Sequence, residues 1–234
     1  MSYQSRGEGK MPVFLNDAIT EALVPEETAV IVVDMINWQV TRGTGLLGGL
    51  EKNGVDIEYL AERVAGTVIP NLQRLIAEVR MAGGRIVYLR IGARAADYSD
   101  GQPHLQKSLR AAGAREGQWA CDVIDSLRPE EGDLSILKTG SNGFVTSNLD
   151  NHLRNMGIRH LLHTGVVTNG CVFSTLMGGW ELGYNNHLVS DATASFSERL
   201  QEYVEEMVTG YLGSLTTTDR VLAKIGQVRE STVA

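Results

Sequence analysis

The chain has 234 residues, 43% of them hydrophobic and 21% charged, and a formal net charge of −7. That acidic balance, with no basic stripe to reverse it, argues against nucleic-acid binding, and no uninterrupted apolar run approaches a membrane span. The length suits one large α/β domain whose core needs no disulfide or metal staple.

Residues 1–11 are polar, without the apolar core of a secretory leader, and 1–25 read as an extension ahead of a single domain. TAVIVVDM (28–35) is a β-branched apolar run ending in a carboxylate, the pattern of a buried parallel strand. The glycine-rich stretch WQVTRGTGLLGGLEKNG that follows lacks periodicity and reads as a long loop. Over 56–82, Ile57, Leu60, Val64, Val68, Leu72, Leu75, Ile76 and Val79 form a helical stripe. Pro70 should kink it or mark the early turn of a second segment. Gly83-Gly84 stops the helix, and RIVYLRI (85–91) is the next strand.

The stretch 92–120 is polar and irregular and reads as a loop over the sheet edge with room for one helical turn. DLSILK (133–138) is a third strand, followed by the turn TGSNG. Thr146 or Ser147 can cap a helix running to about Met156, which Gly157 closes. RHLLHTGVV (159–167) is a fourth strand, 171–184 a helix and NHLVSDA (186–192) a fifth strand. Residues 197–212 read as helix, and TTTDRVLAKI closes the domain. Strands alternating with helices predict a three-layer α/β/α fold of Rossmann-like topology around a mostly parallel sheet. Ligands in such folds collect at the carboxyl ends of the strands.

Asp34, Lys138 and Cys171 each fall at or just beyond such an end. Singly, each has an ordinary explanation. A strand-terminal Asp often forms a turn or cap, a Lys after a strand is usually solvated, and a lone Cys is more often core. On one sheet edge they make a chemistry. A thiol is mostly protonated at neutral pH, and its thiolate is the nucleophile. A helix N-terminus and a nearby ammonium would lower the thiol pKa and leave Cys171 open to alkylation below pH 8. Asp34 could take the thiol proton and return it to a leaving amine. The Thr168-Asn169-Gly170 turn could aim backbone N–H groups at an oxyanion.

VVDM (32–35), ILKTGSNGF (136–144) and TGVVTNGCVFSTL (164–176) together resemble the isochorismatase-like cysteine hydrolases, over roughly residues 26–222. The segment GIRHLLHTGVVTNGCVFSTL is most similar to ureidoacrylate-type enzymes, and the motifs together resemble the ureidoacrylate and N-carbamoylsarcosine-type amidohydrolases. The resemblance implies that Cys171 is the nucleophile, Asp34 the general base and then acid, and Lys138 their electrostatic partner. It further implies a cis peptide between Val166 and Val167, and an oxyanion hole formed by the N–H groups of Val167 and Cys171. The implied reaction is cleavage of a small amide, ureido or carbamoyl compound through a thioester, with no cofactor. Alternatives are vinyl ether hydrolysis, whose family enzymes commonly lack this cysteine, and a silent member serving as an interaction module.

The metal-dependent nicotinamidases of this family carry an Asp-x-His pair after the second strand. YLRIGARAADYSDGQPH has none, so no metal is expected, and His104 reads as a surface residue. Candidate substrate contacts are Trp38, Phe144, Asn142 (Ser141-Asn142 standing where many relatives have Tyr-Ser), Asn169 and Arg90, with Arg94 as the alternative guanidinium. Either arginine could instead form a salt bridge, Asn169 could merely shape the turn, and Trp38 and Phe144 could be core. The resemblance implies a homo-oligomer, tetramer or dimer, with Trp180, Tyr184 and the 39–55 loop as candidate contacts. With only Cys121 and Cys171 and no CxxC or spaced framework, the chain is expected in the reducing cytoplasm.

Overall fold

A computed structural model describes residues 23–233, so residues 1–22 of the expected extension lie outside the described residues. The chain enters β1 (Thr28–Val33), six consecutive buried residues. A strand with helices on both faces has no solvent side, which is why TAVIVV shows no polar alternation.

The stretch expected as a long loop contains two helices instead, α1 (Asn37–Val40) and α2 (Gly45–Lys52). Two of its glycines, Gly45 and Gly48, are there for packing: a Cβ on Gly45 would collide with the Trp38 backbone, and one on Gly48 would lie 2.5 Å from the Gly43 backbone. Low helix propensity is overridden by this close approach. Next come α3 (Glu58–Arg63), a π turn (Val64–Val68) and α4 (Ile69–Met81), running on without a break. Pro70 sits in the first turn of α4, and the wider turn ahead of it accommodates the missing N–H.

β2 (Arg85–Ile91) coincides with the predicted strand, while the polar stretch after it contains α5 (Gln106–Ala112). β3 (Leu134–Lys138) leads into a short turn, α6 (Gly143–Thr146), and then α7 (Leu149–Asn155). Asn142, not Thr146, caps α6, and Ser147 Oγ accepts from Leu149 N at 3.3 Å ahead of α7. β4 (His160–Val166), α8 (Phe173–Glu181), β5 (Asn185–Ala194) and α9 (Glu198–Met207) follow the expected order. A sixth strand, β6 (Ser214–Thr216), was too short to read in the sequence and precedes α10 (Thr218–Val233).

The sheet order is β3-β2-β1-β4-β5-β6, and every pairing is parallel. Alternate β1 residues serve two cores. Val30 and Val32 pack with Leu72, Leu75 and Val79 of α4 and with Val221 and Ile225 of α10. Ala29, Ile31 and Val33 pack with Leu153, Leu176 and Val204 of α7, α8 and α9. The architecture is the expected three-layer α/β/α arrangement. The chain reverses its direction of winding between β1 and β4, which leaves a crevice above their carboxyl ends.

Candidate active site

Asp34 follows β1 and the Cys171 turn follows β4, so the topological switch brings these two together. Lys138 ends β3, one strand further out, in register with Ile91 of β2. A lysine has the reach to cross one strand, and Nζ meets Asp34 Oδ2 at 2.9 Å and donates to Gly140 O at 3.1 Å. Asp34 Oδ1 accepts from the Ile91 N–H at 2.8 Å. Asp34 also adopts φ +52°, uncommon for a residue with a Cβ, and its N–H is anchored on Leu89 O at 2.8 Å. Both side chains of the pair are fully buried.

Cys171 lies in a π turn, Thr168–Val172, that runs into α8. The turn wraps around one carbonyl: Gly170 N and Val172 N both donate to Val167 O, at 2.9 and 3.3 Å. The Val166–Val167 peptide just before it is cis. At Gly165, φ is +93° and a Cβ would lie 2.0 Å from Val33 O, so only glycine allows β4 to approach β1 this closely beside the site.

Asp34 and Lys138 are the two charged groups that act on the Cys171 thiol. Burial pushes the thiol up to about 12; Lys138 pulls it down, and the charge and hydrogen bond of Asp34 push it up again. This corrects the sequence expectation of a lowered thiol pKa. Desolvation next to a carboxylate outweighs the helix terminus and the ammonium together. Lys138 is held above the ordinary lysine value: burial opposes its charge, but Asp34 and Cys171 outweigh that cost. The thiol therefore lies under opposing influences, the Lys138 ammonium drawing it down and burial with Asp34 holding it up.

The other expected residues are distributed around this centre. Val167 precedes the turn and accepts its two N–H bonds. Asn169 Oδ1 accepts from Ser195 Oγ at 2.7 Å. Asn142 has its amide committed to the fold, Oδ1 capping Phe144 N at 2.9 Å and Nδ2 donating to Ser174 O at 2.7 Å. The Phe144 ring lies 5.5 Å from that of Tyr184, on the core side of α8. Trp38 is buried, donates from Nε1 to Ile91 O at 3.0 Å, and walls a 420 Å³ cavity between α2 and α5. Arg90 turns towards the 119–128 segment, donating to Cys121 O at 3.2 Å, and Arg94 donates to Leu137 O at 2.9 Å. Sequence reasoning missed the Ile91 N–H and Gly140 carbonyl, backbone groups that carry no sequence signature. Among the described residues, no three His, Cys, Asp or Glu side chains are grouped to hold a metal.

The Isochorismatase domain family matches residues 28–220. The ureidoacrylate amidohydrolase RutB of Serratia proteamaculans is 32% identical over 220 residues, covering 86% of this chain and 85% of that protein. Among solved structures, a cysteine hydrolase from Pseudomonas syringae pv. phaseolicola superposes with a TM-score of 0.74 at 26% identity, over 89% of this chain and 97% of that one. The N-carbamoylsarcosine amidase of Thermoplasma acidophilum gives a TM-score of 0.62 at 25% identity, over 82% and 97% of the two chains.

Proposed function

The chain belongs to the isochorismatase family, and from that premise we propose that Cys171, Asp34 and Lys138 hydrolyse a small ureido, carbamoyl or carboxamide compound through a thioester. That it is an amidohydrolase acting on a C–N bond rests on its likeness, over most of both chains, to the ureidoacrylate amidohydrolases. The observation that carries the residue assignment is the buried contact of Lys138 Nζ with Asp34 Oδ2 at 2.9 Å, a pair whose charges both act on the Cys171 thiol.

In the proposed reaction Asp34 takes the Cys171 proton as the thiol attacks the substrate carbonyl. A thiol held near 12 is a poor nucleophile until that transfer occurs, so deprotonation is coupled to substrate docking. The N–H groups of Val167 and Cys171 receive the developing oxyanion. Asp34 then gives its proton to the departing ammonia or amine, leaving an acyl thioester. Water, deprotonated by Asp34, cleaves the thioester and restores the thiol. Lys138 orients Asp34 and balances its charge throughout. No cofactor enters this scheme. Trp38, Arg90, Phe144, Asn142 and Asn169 are proposed to shape the surrounding pocket, Asn142 and Asn169 by holding its turns.

We read the described residues as one domain on a single sheet, in a cytoplasmic homo-oligomer. Both cysteines are free thiols, and no described helix is long and apolar enough to cross a membrane. The deciding experiment is ammonia release from ureidoacrylate, N-carbamoylsarcosine and biuret, with Cys171→Ala as control. Turnover abolished by Cys171→Ala supports the reading. No turnover of any of them, together with a Cys171 that never forms an acyl adduct, rejects it.

A further inference from the structure

The catalytic reading explains what Cys171 meets but not what keeps the turn that carries it in place. Thr168–Val172 lies beyond the last β4–β5 pairing, Val166 with Ala194, so no strand pairing fixes the turn against a shift that would part the thiol from Asp34. Two side-chain ties oppose that shift, and both come from the β5–α9 corner. Thr168 Oγ1 donates to Gln201 Oε1 at 2.7 Å, and Ser195 Oγ donates to Asn169 Oδ1 at 2.7 Å. Thr168, Ser195 and Gln201 are all buried.

Gln201 is the hub. Its Nε2 donates to Glu205 Oε1 at 2.8 Å, one helical turn on, and to Thr193 Oγ1 at 3.0 Å. Thr193 Oγ1 donates in turn to Ser190 O at 3.3 Å. A carboxylate oxygen only accepts, so Glu205 dictates that the amide NH2 faces it and that the carbonyl faces Thr168. The Thr168 hydroxyl is thereby obliged to donate. Both N–H groups and the carbonyl of one buried amide are occupied, which makes this a network with a single satisfied arrangement. An apolar residue at 201 would fill the same space without specifying where Thr168 sits.

We propose that Gln201 is a positioning residue: through Thr168 it holds the Cys171 turn at the register where the thiol meets Asp34 and Lys138. The proposal rests on Cys171 being the nucleophile, and its test separates the two ideas. In the full-length chain, Gln201→Met and Thr168→Val remove the bond at either end with little change in volume, and Thr168→Ser retains it. Iodoacetamide alkylation of Cys171 at pH 8, followed by mass spectrometry, needs no substrate. The expected result is a rate at least fivefold above the parent for Gln201→Met and Thr168→Val, because a released thiol escapes its carboxylate neighbour. Thr168→Ser should stay within twofold. On ureidoacrylate, N-carbamoylsarcosine or biuret, the same two variants should lose at least tenfold in kcat with KM within threefold, and Thr168→Ser should restore kcat.

Alkylation rates and kcat within twofold of the parent in both variants overturn the proposal, whatever stability they lose. If Gln201→Met does not fold, Thr168→Val decides alone. Altered alkylation with no amide turnover and no acyl adduct on Cys171 in the parent would leave the positioning role standing and reject the amidohydrolase reading. Cys171-dependent turnover unchanged by either variant would do the reverse.

Discussion

Asp34 and Lys138, 104 residues apart in sequence, meet at 2.9 Å with neither side chain exposed to solvent. A buried ion pair is costly to assemble and costlier to halve, because the remaining charge has no water to return to. Here the carboxylate is further held by the Ile91 N–H and the ammonium by the Gly140 carbonyl.

Breaking the pair should therefore damage stability and catalysis together. Lys138→Met is expected to lower unfolding free energy by about 3–5 kcal/mol, the range for a buried pair deprived of one partner. Urea unfolding at pH 7.5 measures this, and a loss below about 1 kcal/mol would show that the pair is solvated in solution.

Asp34→Asn should have opposite effects on reactivity and turnover. Removing the carboxylate abolishes the proposed base, with kcat falling roughly 10²–10⁴-fold, the usual worth of a positioned general base. Yet Asp34 raises the Cys171 thiol, so its neutral replacement beside Lys138 should lower that pKa and speed alkylation at pH 8. In the parent, alkylation should climb with pH without a plateau below pH 9 or so, since the thiol is held near 12. A plateau near neutrality would show that the thiol is not raised.

Acid should weaken the fold through two buried histidines outside the site. Burial lowers His163 to about 4, although its bond to Asn186 opposes the shift, and lowers His187 to about 3 with help from His160 and Lys224. Both folded values lie below the unfolded value of about 6.5. The stabilisation is thus complete above that pH and is lost as pH falls from about 6.5 towards the folded values. Linkage gives a loss of about 2 kcal/mol per histidine between pH 7.5 and 5. The urea midpoint should drop over that interval, and His163→Gln, which can keep the Asn186 bond, should flatten part of the drop.

Gly165→Ala tests the approach of β4 to β1. The new Cβ would collide with the Val33 carbonyl at a backbone angle of φ +93°. A loss of more than about 2 kcal/mol is expected, since strain and overlap add. Unfolding close to that of the parent would mean that the strands can part at no cost.

Much of this was legible in the sequence because local chemistry governed it. The strand at 85–91 has a β-branched run with a glycine stop ahead of it, and it formed with those bounds. The glycine-rich 39–55 stretch failed as a loop because its glycines allow close packing, a tertiary fact that composition reads as flexibility. β6 has three residues and exists because β5 offers it an edge. Asn142 and Asn169 were candidate substrate contacts by residue type, but their partners Ser174 and Ser195 were invisible until the chain folded.

The sequence by itself determined the alternation of elements, the strand ends that carry Asp34, Lys138 and Cys171, and the order in which they occur. Periodicity and turn chemistry act over a few residues, and such ends are where a parallel sheet leaves side chains free. Only the tertiary structure decided the state of the thiol and the partners of the turn that carries it. Desolvation depends on everything packed around a group, and no neighbour of Cys171 in the chain announces that Asp34 will raise its pKa or that Gln201 will hold Thr168.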